Sequence, residues 1–213
     1  MPLPHSSMDP MKLYYTPGAC SLAPHIVLKE AGLTFELVKA DLKSHTLVAD
    51  GSDYYQTNSK GQVPLLELDN GERLTEGPAI NQYLADQVPE KKLAPANGTM
   101  ARYRLQEWLN FVTSELHKGI GGLFNPMMND DGKAVLRARA LDKLKWVDAQ
   151  LEGKQYLMGD TFSIADAYLF TVTNWTAHTG IDISGLKHLG AFQARMAARP
   201  AVQAALKAEG LLK

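Results

Sequence analysis

Every strand signal in this chain falls before Gln87, and everything after it carries only helical periodicity. Lys12-Leu13-Tyr14-Tyr15-Thr16 reads as a short aromatic strand closed by the Pro17-Gly18 turn, and Phe35-Glu36-Leu37-Val38 as a second. Ser21 to Ala31 lies between them with Leu22, Ala23, Ile26 and Val27 on one helical face. The two strands are therefore expected as parallel neighbours in a right-handed βαβ unit. Lys43 to Gly61 is polar and reads as loop with one short helix. Pro64 to Leu68 and Glu72 to Thr75 then flank Asp69-Asn70-Gly71, where Asn-Gly is expected to supply the positive φ angles of a hairpin. Ala79 to Asp86 reads as a helix.

Residues 88–98, rich in Pro, Gly and charge, read as a linker. Beyond them Ala101 to Lys118 places Leu105, Trp108, Leu109, Val112 and Leu116 on one face, and Lys133 to Leu151 makes a second helix. Ile164, Tyr168, Val172 and Trp175 mark a third, and Ala191 to Arg199 and Val202 to Ala208 are shorter ones parted by Pro200. The pattern predicts an α/β domain over 11–87 and an all-α domain over 99–213, with 1–10 as a disordered extension.

Composition narrows the classes. Lys plus Arg is 22 and Asp plus Glu is 23, a balance that argues against nucleic acid as a partner. No run of 18 apolar residues is present, which argues against a membrane-spanning helix. The single Cys rules out an intramolecular disulfide and the stapled secreted scaffolds. The first ten residues lack the basic and apolar regions of a signal peptide, so a cytoplasmic location is expected. The other histidines (His5, His25, His178 and His188) have no metal-ligand spacing, so no metal is expected. The basic run from Lys133 to Lys145 is interleaved with Asp142 and reads as a solvated helix face.

Cys20 stands between a Pro-Gly turn and a helix start, where free N–H groups and the helix dipole favour a thiolate. A lone Cys is more often a small buried apolar residue, and it is the position that turns the argument. A second Cys three residues on would make a dithiol, but Ala23 is there, so a reactive Cys20 needs a partner on another molecule. Val63-Pro64 is either a strand-entry proline or an extended segment whose backbone pairs with a peptide-like ligand. Thr75-Glu76-Gly77-Pro78 is either a plain acidic helix start or a site for an α-amino acid head. In the second reading the N–H groups hold the carboxylate and Glu76 pairs with the ammonium. Asn110, Ser114, His117 and Lys118 share one side of the first helix after the linker, a solvated face unless something directs it to a cleft.

Three segments carry a resemblance: Lys12 to Ser21, Asn58 to Pro64, and Leu74 to Ile80. With Glu115-Leu116-His117-Lys118 and Phe162 to Phe170 in the second half, they resemble the bacterial beta-class glutathione transferases, over nearly all of Met11 to Lys213. The resemblance implies a thioredoxin-like N-terminal domain with a cis-proline, followed by an all-helical C-terminal domain. It implies glutathione as cosubstrate and a homodimer. It places catalytic roles on Cys20, Tyr15 and His117, and glutathione contacts on Val63, Pro64, Glu76 and Gly77, with Asn110, Ser114 and Lys118 directed toward the cleft. Gly77 stands where some relatives have Ser, keeping the backbone donor and losing the hydroxyl. His45 falls where a lysine often meets the glycine carboxylate, a contact that Lys43 is the other candidate to make. Trp175 matches a cleft position but is equally placed for the core. Ser163 and Asp166 make a capping box and are read as structural.

The expected activity is transfer of the glutathione thiolate to a small hydrophobic electrophile, a detoxification chemistry. Two alternatives stand beside it: a glutathione-dependent thiol–disulfide reductase or reductive dehalogenase using Cys20 covalently, and a non-catalytic ligand binder on the same fold.

Overall fold

A computed structural model describes residues 10–212; the expected extension lies, apart from Pro10, outside them. The chain opens as expected, with β1 (Met11–Tyr15), α1 (Leu22–Ala31) and β2 (Phe35–Asp41), and β1 and β2 pair in parallel from Met11↔Phe35 to Tyr15↔Lys39. The polar stretch holds a two-residue strand, β3 (Thr46–Leu47), and a 3-10 turn at Tyr54–Gln56. β4 (Leu65–Glu67) and β5 (Arg73–Thr75) complete a five-stranded sheet in the order β3-β2-β1-β4-β5, with α2 (Gly77–Gln87) following. The hairpin differs from expectation in its turn. Leu68 N–H donates to Glu72 O at 2.8 Å, leaving a three-residue loop in which Gly71, at φ 83°, takes the left-handed position. The Asn70 side chain instead accepts from Glu72 N–H at 2.9 Å.

Among the described residues, every named element after β5 is helical. After α2 they are a 3-10 turn (Pro89–Lys91), α3 (Met100–Phe111), a π-helical segment (Val112–His117), α4 (Lys118–Gly121), a 3-10 turn (Gly122–Phe124), α5 (Asp130–Gln150), α6 (Ile164–Asn174), α7 (Thr176–Thr179), α8 (Lys187–Ala197) and α9 (Pro200–Ala208). α6 starts on the expected capping box, with both reciprocal bonds between Ser163 and Asp166 present. No described helix is long and apolar enough to cross a membrane.

Strand alternation divides the sheet's two faces. Leu13 joins a core with Leu22, Ile26 and Val27 of α1, while Tyr14 turns the other way onto Tyr54, Val63 and Leu65. α1 packs against α2, α6 and α9, so the first core continues without a break into the helical half through Leu105, Ile164, Phe170 and Phe192. The linker is tied down as well. Leu93 is 5% exposed, its carbonyl accepts from Ile164 N–H at 3.0 Å, and Arg102 donates to Pro95 O at 2.8 Å. The cleft that follows therefore has both walls fixed to one packed interior.

Candidate active site

Cys20 sits on the turn linking β1 to α1, where Ala19 N–H donates to Thr16 O at 3.1 Å and Ser21 Oγ donates to Thr16 O at 3.2 Å. Its thiol donates to Val63 O at 3.2 Å, across a cis Val63–Pro64 bond. The segment ahead of that bond is pinned by the Tyr54 hydroxyl and the Asn58 amide, which both donate to Gln62 O, at 2.9 and 2.7 Å. Burial pushes the Cys20 thiol up to about 11, outweighing the opposing pull of the Cys20 and Ser21 backbone N–H groups and Lys118. The thiolate expected from the helix start is thus corrected: in this cavity Cys20 is a neutral thiol and a hydrogen-bond donor.

Glu76 caps α2 at φ 70° and ψ 111°, a conformation non-glycine residues rarely take and one that collects at functional sites. Its Oε1 lies 2.6 Å from Lys60 Nζ, which also reaches Thr75 Oγ1 at 3.0 Å. Gly77 and Pro78 continue the wall, and a Cβ built on Gly77 would meet nothing closer than Pro64 Cγ at 4.0 Å.

The opposite wall comes from the helical half. Thr113, His117 and Lys118 lie on or beside the π-helical segment, and Tyr168 projects from α6. His117 Nδ1 and the Tyr168 hydroxyl are 2.6 Å apart. Burial and neighbouring Lys118 lower His117 to about 4, and burial raises Tyr168 well above the usual phenol range, so near neutral pH both are uncharged. In the tautomer where Tyr168 donates to Nδ1, the imidazole carries its hydrogen on Nε2 and can offer it to a ligand.

These walls enclose a cavity of about 250 Å³, the more polar and more highly charged of two that adjoin. A second cavity of about 480 Å³ opens beside it, lined by Gly18, Phe124, Trp175 and Leu211 with His178. The two share Ala19, Cys20 and His117. Trp175 stands edge-on to His117 at 4.9 Å and donates its indole N–H to Gly18 O at 2.8 Å.

Several expected site residues lie elsewhere. Tyr15 does not line either cavity; the strand's two-residue period turns it toward α1, beside the His25 ring at 6.4 Å. His45, at φ 54°, lies tilted against the Tyr55 ring at 4.5 Å outside the polar cavity, and Lys43 is not on its wall either. Asn110 faces the neighbouring groove with Pro78 and Gln82, and Ser114 another with Leu136 and Lys143. Both grooves adjoin the cavity, since Glu76 and Thr113 also line the first and Lys118 the second. Lys60, Thr113 and Tyr168 are cleft residues that sequence reasoning passed over. Lys60 sat inside the quoted Asn58 to Pro64 motif, the one signal that pointed to it.

This geometry has known counterparts. The model for the glutathione S-transferase N-terminal domain matches residues 9–86, and that for the C-terminal domain matches residues 114–200. Glutathione S-transferase GstA of Escherichia coli O157:H7 is 50% identical over 201 residues, covering 94% of this chain and all of that one (100%). The chain belongs to the glutathione S-transferase family. Among solved structures, a ternary complex of BphK, a bacterial GST, superposes with a TM-score of 0.92 at 56% identity, covering 94% of this chain and 100% of that one. The beta-class glutathione S-transferase of Sphingomonas chungbukensis gives 0.91 at 48% identity, with 94% and 100% covered. The protein is thus a glutathione transferase with glutathione as its cosubstrate, on the thioredoxin-like plus all-helical fold of that family.

Proposed function

We propose that residues 11–87 hold glutathione in the polar cavity and that residues 99–213 bring the electrophile to it. The γ-glutamyl ammonium pairs with Glu76, and the Gly77 N–H faces the α-carboxylate. The cysteinyl unit lies along Val63 and Pro64, and its sulfur rests between Cys20 and His117. A small hydrophobic electrophile fills the second cavity against Phe124 and Trp175. The supporting observation is that the two cavities, one charged and one aromatic, meet at Ala19, Cys20 and His117.

The chemistry follows from the protonation states. Two neutral donors, the Cys20 S–H and the His117 Nε2–H, stabilise the glutathione thiolate without supplying a competing anion. The thiol proton leaves to solvent, the sulfur pair attacks the electrophilic carbon held beside it, and the leaving group departs with its electrons. Both donors bind sulfur more tightly as an anion than as a thiol, so they raise the fraction of bound glutathione present as the nucleophile near neutral pH. A neutral Cys20 thiol supports conjugation over the covalent reductase reading. The chain is also proposed to act as a cytoplasmic homodimer.

Conjugation of a chlorodinitrobenzene and reduction of a glutathione mixed disulfide, measured side by side in the wild type and Cys20→Ala, test this reading. One lost donor costs about 10- to 100-fold in conjugation and leaves a measurable rate. Complete loss of conjugation with Cys20→Ala would make Cys20 the nucleophile and overturn the assignment.

A further inference from the structure

Glutathione near neutral pH carries one ammonium and two carboxylates, so a matched site offers one negative and two positive groups. The charged side chains on the polar cavity's walls are Glu76, Lys60 and Lys118. That is the same set with the signs reversed. Glu76 and Lys60 stand together on the wall built from the sheet half, whereas Lys118 comes from the helical wall beside His117.

Lys60 reaches Glu76 Oε1 at 2.6 Å and Thr75 Oγ1 at 3.0 Å, with side-chain exposures of 48% for Lys60 and 66% for Glu76. A pair that exposed adds little to stability, and both members are free to exchange partners. The adjoining helix start offers a carboxylate only backbone donors, the Gly77 and Ala79 N–H groups. Pro78 has no N–H, and Gly77 has no side chain to add to its own N–H.

We propose that Lys60 is the cation for the γ-glutamyl α-carboxylate, so that the α-amino acid head inserts into the Lys60–Glu76 pair. The ammonium replaces Lys60 on Glu76, and the released Lys60 takes the carboxylate. Both charges of the head then exchange one opposite partner for another, and no charge is left unpaired. This rests on the glutathione site proposed above.

Calorimetric titration of three ligands into the wild type, Lys60→Met and Lys60→Arg tests it. The ligands are glutathione, its glycine ethyl ester, and 4-aminobutyryl-cysteinyl-glycine, which lacks only the γ-glutamyl α-carboxylate. Lys60→Met is expected to weaken glutathione and the ester equally, by about tenfold, and to leave the third ligand unchanged or more tightly bound, since its ammonium no longer competes with Lys60 for Glu76. Lys60→Arg retains most of the affinity. Adding Gly77→Ser to Lys60→Met recovers much of the loss, since the open space at Gly77 admits a hydroxyl beside the same carboxylate. Unchanged or tighter glutathione binding by Lys60→Met overturns the proposal, because Lys60 would then only compete for Glu76. A loss shared by the decarboxylated ligand, or absent with the ester, overturns it too. Failure of the wild type to bind glutathione would instead remove the underlying site, and the proposal with it.

Discussion

Burial decides the charge of the two side chains that flank the sulfur position. His117 falls to about 4 and Cys20 rises to about 11, so each is driven toward its neutral form. For His117 this has a consequence for stability that can be signed. The unfolded chain takes up a proton near pH 6.5 and the folded one only near 4, so the unfolded state binds more protons in between. Stability therefore falls as pH drops through that window, by roughly 2–3 kcal/mol at pH 4.5. Urea unfolding at pH 7 and 4.5 should show this loss in the wild type and much less of it in His117→Gln; an equal loss in both would mean His117 is not the group responsible. At this scale Cys20, Glu76 and His117 were legible because each belongs to a local motif. Tyr168 was not, for it meets His117 from 51 residues away. The direction of the Cys20 shift was equally hidden, since a helix start can be read from neighbouring residues and desolvation cannot.

Helix identity was easier to read than helix geometry. A helix was expected from Ala101 to Lys118, and helical backbone does run from Met100 to Phe124, but its middle six residues are π-helical. Thr113 and Ser114 donate their hydroxyls to the carbonyls of Leu109 and Asn110, at 2.8 and 3.0 Å, a bonding pattern that competes with regular α-helix. The apolar stripe survives the change: Leu109, Val112 and Leu116 are buried, while Asn110 and Ser114 line grooves that adjoin the cavity. A second junction joins α2 to α3. Arg102, only 2% exposed, forks onto both Asp86 oxygens at 2.9 Å. Asp86→Ala strands that guanidinium with its remaining Pro95 carbonyl and Gln82 contacts, and is expected to cost about 2 kcal/mol in urea unfolding. A change below about 0.5 kcal/mol would show the pair to be dispensable.

Across the whole molecule, the C-terminal end reaches back to the catalytic turn. Glu209, 6% exposed, accepts from Gly18 N–H at 2.9 Å through Oε2 and meets His25 Nδ1 at 2.7 Å through Oε1. Trp175 donates to Gly18 O, so both backbone polar groups of Gly18, two residues before Cys20, are held by the helical half. Glu209→Ala is expected to lose about 3 kcal/mol of stability, by leaving His25 and the Gly18 N–H without a partner, and to lower conjugation as the turn loosens. Glu209→Gln, which keeps an acceptor, should lose less. Equal stability in all three proteins would mean that the turn holds itself.

Apart from the two-residue β3, the order of strands and helices, the change from mixed to all-helical character, the presence of a hairpin and the cysteine-bearing turn were written in local patterns of residues. Short-range propensity and periodicity suffice for features that form within a dozen neighbouring residues. Which face Tyr15 takes, which residues of the π-helical segment enter the cleft, how Lys60 and Tyr168 join the site, and whether the Cys20 sulfur is charged were decided by packing. Each depends on atoms brought together from separate elements of the fold, and on the water that their meeting excludes.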